Sequence, residues 1–498
     1  MRRTLCFVIL VLLTRAAASD SPRLSDCADL KDLAPRWKDA MESMGVPGFA
    51  VAVVRDGKII CADGFGVCDP VSKRPVDAST IFYIASCTKT FTAMTIAVLA
   101  EQGKFSLDDP VKKILPRFDL ADTKAAESIT IRDLLCHRPG LRSQAIVFND
   151  AYTGQITDDL YYRLLKQTSP AGNVNYSNIH FTLLGRVMEQ AGGKSWKEVM
   201  DDLVLKPAGM TRTTAYASRM YADADSAKPV VTQDGKQTVS PLLKTDRTMH
   251  AAGGMGSSAN DLARWLILHT SAGQIDGNQV IPEPIVKQML ARQSDHEPSG
   301  KIRRLEGFGL AWELGTYRGR PYATHGGGYV GAAAHISLLP EQRIGVVVLT
   351  NFSPTGAGLC DVVSIDVYDR LLGLKEPDLL PQYKKRAAQF FKSQRDRKLP
   401  ENPAIGAGHL SLAPERYAGN YHNDDFGDLR ISLTDGSLVA EIGDLRPVLC
   451  AGEKPDELGI QMVPQDDLSD GRFEITGGEV IAVVVVQDEQ PIRFARVN

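Results

Sequence analysis

The stretch Phe49-Ala-Val-Ala-Val-Val-Arg-Asp-Gly-Lys-Ile-Ile-Cys-Ala62 decides the architecture of this chain. Two short apolar runs, Phe49 to Val54 and Ile59 to Ala62, flank Asp56-Gly57, a dipeptide that tolerates the positive φ angles of a type I′ hairpin turn. After a short helical opening near Leu30 to Met44, the chain therefore enters its fold on two antiparallel strands. From Ser86 to about Leu290 the spacing becomes helical. Met94 and Val98 precede Gly103, and Ile179, Leu183 and Val187 precede Gly192-Gly193. Leu262, Trp265 and Leu266 follow a Ser258-x-x-Asp261 capping box. Strand patterns return at Phe308 to Leu314, Pro321 to His325, Tyr329 to Leu339 and Ile344 to Thr350, with a helix near Val362 to Leu372. Strands at both ends of a helical middle predict an α+β domain over residues 27–373, with one antiparallel sheet closed by the two ends and an α-rich insertion between them.

Beyond it, prolines at 377, 381, 400 and 403 surround the basic stretches Lys384-Lys385-Arg386 and Arg395 to Lys398, so residues 374–412 read as a linker carrying one polar helix whose charges face solvent. In the tail, 413–498, Leu429, Ile431 and Leu433 alternate with polar residues. Asp435-Gly436 and Gly477-Gly478 mark hairpins, so a separate antiparallel β domain of barrel-like form is expected. At the other end, Arg2-Arg3, the apolar run Leu5 to Leu13 and Ala16-Ala17-Ala18 read as a secretory signal peptide over residues 1–19. The expected location is thus secreted or periplasmic. Once the signal is removed, no stretch reaches the roughly 18 apolar residues of a membrane span.

Composition narrows the function. With 498 residues, 43% hydrophobic and 23% charged, the chain is ordinary globular material, neither disordered nor collagen-like. A net charge of −3 supplies no positive field for nucleic acid. Without Cys6, seven cysteines remain, an odd set with no C-x-x-C pair; a disulfide has room to form, but no pairing or zinc site is legible. No metal and no cofactor are expected. Gly326, Gly328 and Gly331 match a dinucleotide-binding spacing, yet a strand pattern follows them where a helix is required, and Gly193-Lys194-Ser195 lacks the earlier glycine of a phosphate loop. There is no G-x-S-x-G elbow and no H-E-x-x-H. Nothing in the sequence specifies an oligomeric state.

Three short motifs carry chemistry. Ser86-Cys-Thr-Lys89 stands where strand-like Ile81-Phe-Tyr-Ile84 gives way to a helix, which puts a hydroxyl and an amine on one helical face. The first N–H groups of a helix lack intrahelical acceptors, so the amide of Ser86 is free to meet developing negative charge. Tyr176-Ser-Asn178 offers a phenol and a carboxamide on the entry to the next helix; the similar Tyr421-His-Asn423 lies in the tail, without a serine-lysine pair. His325-Gly-Gly-Gly328 joins two strand patterns, its glycines leaving room for close backbone approach.

In this order and context the chain resembles the penicillin-recognising serine hydrolases, particularly the branch holding class C β-lactamases, D-aminopeptidases and esterases. The likeness extends to Ile129-Thr-Ile-Arg-Asp-Leu-Leu-Cys-His-Arg-Pro-Gly-Leu141 and Ala252-Gly-Gly-Met-Gly-Ser-Ser-Ala-Asn-Asp-Leu-Ala263, and covers about Leu30 to Leu372. It implies that Ser86 attacks an ester or amide carbonyl of a small molecule or short peptide to form an acyl-enzyme. Lys89 and Tyr176 would be acid and base, Asn178 would orient substrate or Lys89, and His325, Gly327 and Gly328 would line the substrate, with the Gly328 amide joining that of Ser86 in an oxyanion hole. For Lys89 to act as base its ammonium must be disfavoured, and Tyr176 must be held where its phenolate is stabilised. Where many β-lactamases have Lys-Thr-Gly this chain has His325-Gly-Gly327, which favours an esterase or peptidase unless Arg318 or Arg320 replaces the lost charge. A class C β-lactamase and a weakly catalytic acyl-binding sensor are the alternatives.

Overall fold

The computed structural model describes residues 21–233, 235–396, 405, 409–487 and 489–497; the expected signal peptide lies outside the described residues. The opening hairpin pairs Gly48–Arg55 with Lys58–Gly66 through Asp56 at φ 50° and Gly57 at φ 75°, the two positive angles a type I′ turn demands. It forms one edge of an eight-stranded antiparallel sheet. From that edge the order runs Lys58–Gly66, Gly48–Arg55, Ile344–Thr350, Ala332–Leu339, Arg320–Tyr329, Glu313–Tyr317, Arg303–Phe308, Ser294–Ser299. The last strand of the domain thus lies beside the first.

Both faces of this sheet are covered, and the period-two alternation of side chains sorts residues between two cores. Ala50, Ala52, Val54, Val347 and Leu349 face the larger core, shared with the helices Thr88–Glu101, Asn178–Gly192 and Ala259–Thr270. Phe49, Val51, Val53, Val346 and Val348 face the second, shared with Ala34–Ser43 and Thr355–Leu371. The helix Leu380–Asp396 also belongs to this second layer: Leu380 and Ala387 are buried there, with Tyr383, Phe390 and Phe391 packed alongside. These five positions make an apolar stripe that the basic residues between them mask in the sequence.

One expected strand is corrected. Residues 308–314 do not run as a strand; Arg303–Phe308 ends, the chain turns through Gly309 to Trp312, and Glu313–Tyr317 resumes beside it. Gly309 N–H donates to Trp312 O at 2.8 Å, and Leu310, Ala311 and Trp312 are buried in the larger core. An apolar run that fills a core from a turn has the same periodicity as one that fills it from a strand.

The tail forms a second eight-stranded antiparallel sheet, in the order Ser437–Ile442, Gly427–Thr434, Gly419–Asn423, Gln490–Val497, Glu479–Gln487, Ser469–Thr476, Glu457–Gln461, Val448–Ala451. Its first and last strands approach one another, so the sheet is a nearly closed barrel around Tyr421, Leu429, Ile431, Phe473, Val483 and Phe494. The barrel grips the α-rich insertion. Phe426 packs on Phe148 at 5.8 Å, Asn149 Nδ2 donates to Asp425 O at 2.8 Å, and Asp444 accepts from Thr245 Oγ1 at 2.5 Å and from Arg247. No helix among the described residues is long and apolar enough to cross a membrane.

Asp444 is nearly buried at its carboxylate whereas Arg247 is 63% exposed, so the hydroxyl bond outweighs the ion pair. Asp444→Ala is expected to cost about 1.5–3 kcal/mol in denaturant unfolding and Arg247→Ala less than about 1 kcal/mol. Equal losses would contradict that ranking.

Candidate active site

Ser86 stands on a single 3-10 turn, Ala85–Cys87, that runs directly into the helix Thr88–Glu101. That helix is buried from Thr88 to Leu99, which is why it carries apolar residues on every side and why its threonines must find internal acceptors. Thr90 Oγ1 donates to Cys87 O at 2.9 Å and Thr92 Oγ1 to Ala251 O at 2.7 Å. The turn itself is strained at Ala85, whose φ of 45° lies in the left-handed region that a side chain disfavours.

Lys89, one turn along, is fully buried. Its Nζ lies 3.1 Å from Ser86 Oγ, 2.7 Å from Asn178 Oδ1 and 2.5 Å from the carbonyl oxygen of Ala252. Two of these partners can only accept. A neutral amine has two N–H groups and one lone pair, so it can donate to Asn178 and Ala252 while its lone pair receives the Ser86 hydroxyl. Burial drives the amine far below the ordinary lysine range, with no carboxylate at the nitrogen to oppose it.

The Tyr176 ring lies 4.8 Å from Lys89 Nζ, and its hydroxyl lies near Ser86. The residue is 42% exposed, yet burial around its hydroxyl pushes the phenol up, more than Ser86 lowers it. At neutral pH the phenol therefore keeps its proton, and its surroundings do not supply the phenolate stabilisation that a base role for Tyr176 would require. His325 is buried, and burial pushes its imidazole down to about 3. Its Nδ1 lies 2.7 Å from Gly326 O, which places the proton there and leaves Nε2 as an acceptor.

Gly327 brings the strand Arg320–Tyr329 against the turn. A Cβ at Gly327 would overlap Ile84 O and stand 3.3 Å from Ser86 N, whereas Gly326 and Gly328 open onto empty space. The Gly328 amide is the next along the strand, at the register pair Gly328 with Ala333. The two arginines considered as charge replacements are elsewhere. Arg318 sits at the far turn of the hairpin, paired with Asp369 at 2.8 Å and Glu376 at 3.1 Å, and Arg320 donates to Arg318 O at 3.3 Å. Five residues of strand, about 16 Å, separate Arg320 from His325.

The sequence reading missed the carbonyl of Ala252 as a partner of Lys89, although Ala252 begins a stretch that carried the resemblance. A backbone acceptor has no residue-type signature, so only its place beside that stretch pointed to it. Gly327→Ala is expected to lower kcat/KM for any substrate of this site by about 10²-fold, with Gly326→Ala near wild type. Comparable losses in the two variants would show that the close approach at Gly327 is unimportant.

A family profile described as Beta-lactamase matches residues 34–361. Unguisins hydrolase ungD of Aspergillus violaceofuscus is 26% identical over 444 residues, covering 81% of this chain and 76% of that protein. Protein flp of Staphylococcus aureus is 28% identical over 320 residues, covering 62% of this chain; this chain spans 60% of the length of flp. Among solved structures, the octameric penicillin-binding protein homologue from Pyrococcus abyssi superposes with a TM-score of 0.60 at 21% identity, covering 94% of this chain and 100% of that one. A class C beta lactamase from Rhodobacter sphaeroides gives 0.53 at 20% identity, covering 68% and 98%. Those two structures share the fold; the profile, spanning most of the chain around Ser86, Lys89, Tyr176 and His325, shows that this protein belongs to the beta-lactamase family.

Proposed function

We propose that the protein is a secreted or periplasmic serine hydrolase that cleaves ester or amide bonds through an acyl-enzyme on Ser86. The observation that carries this reading is the buried amine of Lys89, held by two obligate acceptors with its remaining valence on Ser86 Oγ. As Ser86 Oγ bonds to the substrate carbonyl carbon, its proton passes to Lys89 Nζ. The carbonyl oxygen becomes an oxyanion beside the amides of Ser86 and Gly328. The leaving group then takes a proton relayed from Lys89 through Tyr176, whose protonated phenol is poised to donate. Water attacks the acyl carbon in the second half, giving its proton to the same pair and releasing Ser86. The name of the curated relative ungD, a hydrolase, supports this class of reaction.

Substrate preference follows from charge. The imidazole of His325 is neutral, Lys89 is neutral, and Arg318 is paired away from the site, so none of these three is a fixed cation for a substrate carboxylate. Short neutral esters and D-amino-acid amides are expected to be turned over in preference to a cephalosporin. Dominant cephalosporin turnover would instead favour a class C β-lactamase, and covalent labelling of Ser86 without turnover an acyl-binding sensor. A fluorophosphonate adduct mapped to Ser86 by peptide mass spectrometry is the direct test; a labelled protein with Ser86 unmodified would end the proposal.

The pH profile has a defined sign. Lys89 must be unprotonated to accept, and burial lowers its pKa, so activity on a neutral ester falls only as pH drops through that lowered value, well below the ordinary lysine range. Tyr176 must be protonated to donate, and burial raises its pKa, so it imposes no loss of kcat/KM below pH of about 10. Lys89→Arg, always charged, is expected to lose about 10⁴-fold in kcat. Retention of activity by that variant would exclude Lys89 as the base.

A further inference from the structure

Tyr176 lies on an irregular segment, residues 173–177, before the helix Asn178–Gly192. No ladder of strand or helix bonds fixes its phenol over Ser86. His137, which follows the short helix Ile131–Leu135, touches that segment on both sides of the tyrosine. Asn175 N–H donates to His137 O at 3.0 Å, and Ser177 N–H donates to His137 Nδ1 at 3.1 Å. Between these two anchors the Tyr176 ring lies on the imidazole, with centroids 4.6 Å apart and planes tilted by 34°. Phe181 and Phe308 close on the imidazole at 5.2 and 4.9 Å. His137 is fully buried and holds φ at 60°, a left-handed angle rare for a residue with a side chain.

A second buried histidine fixes where its proton sits. His180 Nε2 accepts from Leu141 N–H at 3.1 Å, so the proton of His180 is on Nδ1. That nitrogen is 3.2 Å from His137 Nδ1, which already accepts from Ser177. His180 therefore donates, and the single lone pair of His137 Nδ1 is shared between the two N–H groups, with its own proton on Nε2, a buried atom with no protein partner. Burial pushes both imidazoles down, His180 to about 3. Neutrality is necessary, since a protonated Nδ1 on His137 has no lone pair for Ser177.

We propose that His137 is a positioning residue for Tyr176, with His180 locking its tautomer, so that one residue holds the backbone on either side of the phenol, by its main-chain carbonyl before it and its ring after it, and supports the phenol ring. The proposal rests on the reading of Tyr176 as the proton donor given above. Ser177 completes the clamp: its Oγ donates to Leu141 O at 2.6 Å and accepts from Ile179 N–H at 3.2 Å, tying the loop after His137 to the start of the helix that carries Asn178 and His180.

Two substitutions separate the clamp from mere packing. His137→Asn keeps an acceptor near the place of Nδ1; His137→Gln moves it to the place of Nε2. On a neutral ester, the Asn variant is expected to keep kcat within about threefold, and the Gln variant to lose about tenfold or more in kcat with KM within about twofold. In a Tyr176→Phe background both losses should vanish, because there is no phenol left to position. His180→Gln, which keeps an acceptor for Leu141 but withdraws the Nδ1 donor, must show the same dependence on background. It carries the test if position 137 does not tolerate change, folding being checked by thermal unfolding. Equal losses for Asn and Gln, or losses that persist in the Tyr176→Phe background, would overturn the proposal. Full activity of Tyr176→Phe by itself would instead overturn the role given to Tyr176, so the two failures are told apart.

Discussion

A lysine amine shut in a closed interior is the constraint on which the rest of the structure turns. Desolvating an ammonium ion costs several kcal/mol unless a counter-charge is supplied, and none stands at Lys89 Nζ. Burial shifts the balance toward the neutral amine, whose two N–H groups Asn178 and Ala252 can accept. Each partner is delivered by a different element. The buried helix Thr88–Glu101 carries the amine, the start of Asn178–Gly192 the carboxamide, and the segment before Ala259–Thr270 the carbonyl. A small displacement of any one would leave a buried polar group unpaired, so the packing of three helices is coupled to the protonation of one nitrogen.

The legible part of this arrangement is the part written in local chemistry. Asp56-Gly57, Asp435-Gly436 and Gly477-Gly478 turn as read because their φ angles are positive at both positions, which the residue types permit. The alternation of Phe49 to Val54 marks two cores because both faces of its strand are covered. Ser86, Lys89, Tyr176, Asn178 and His325 could be nominated since each stands at an element boundary next to a chemically unusual neighbour. What stayed hidden depends on distance through space. The Ala252 carbonyl is generic backbone, and the His137 and His180 pair is separated along the chain by the helices Gln144–Phe148 and Asp158–Leu165 and the segments around them, with no spacing to join them. The ionisation of Tyr176 could not be read either, because its sign depends on how much water reaches the hydroxyl.

The same distinction bears on two further segments. Leu310 to Trp312 and the stripe Leu380, Tyr383, Ala387, Phe390 and Phe391 are both apolar in composition. One fills a core from a turn, and the other packs a charged-looking helix onto the back of the domain. Hydrophobicity states that a residue will be covered; it does not state by what. The barrel illustrates this at larger scale, since its own core extends through Phe426 to Phe148 and Tyr152 of the insertion, while its Asp425 and Asp444 bind Asn149 and Arg247 of that insertion.

Seven cysteines are described, at 27, 61, 68, 87, 136, 360 and 450, and every one is a free thiol shut away from solvent. They are spread over both layers of the main domain and the barrel, and burial holds the thiols at 61, 68, 87, 136, 360 and 450 above their usual range. Alkylating and oxidising reagents attack the thiolate, so the native chain is inert toward them at sites where the denatured chain is reactive. Sulfhydryl chemistry in this protein is accordingly a gauge of local opening, with each modified position naming the layer that came apart first.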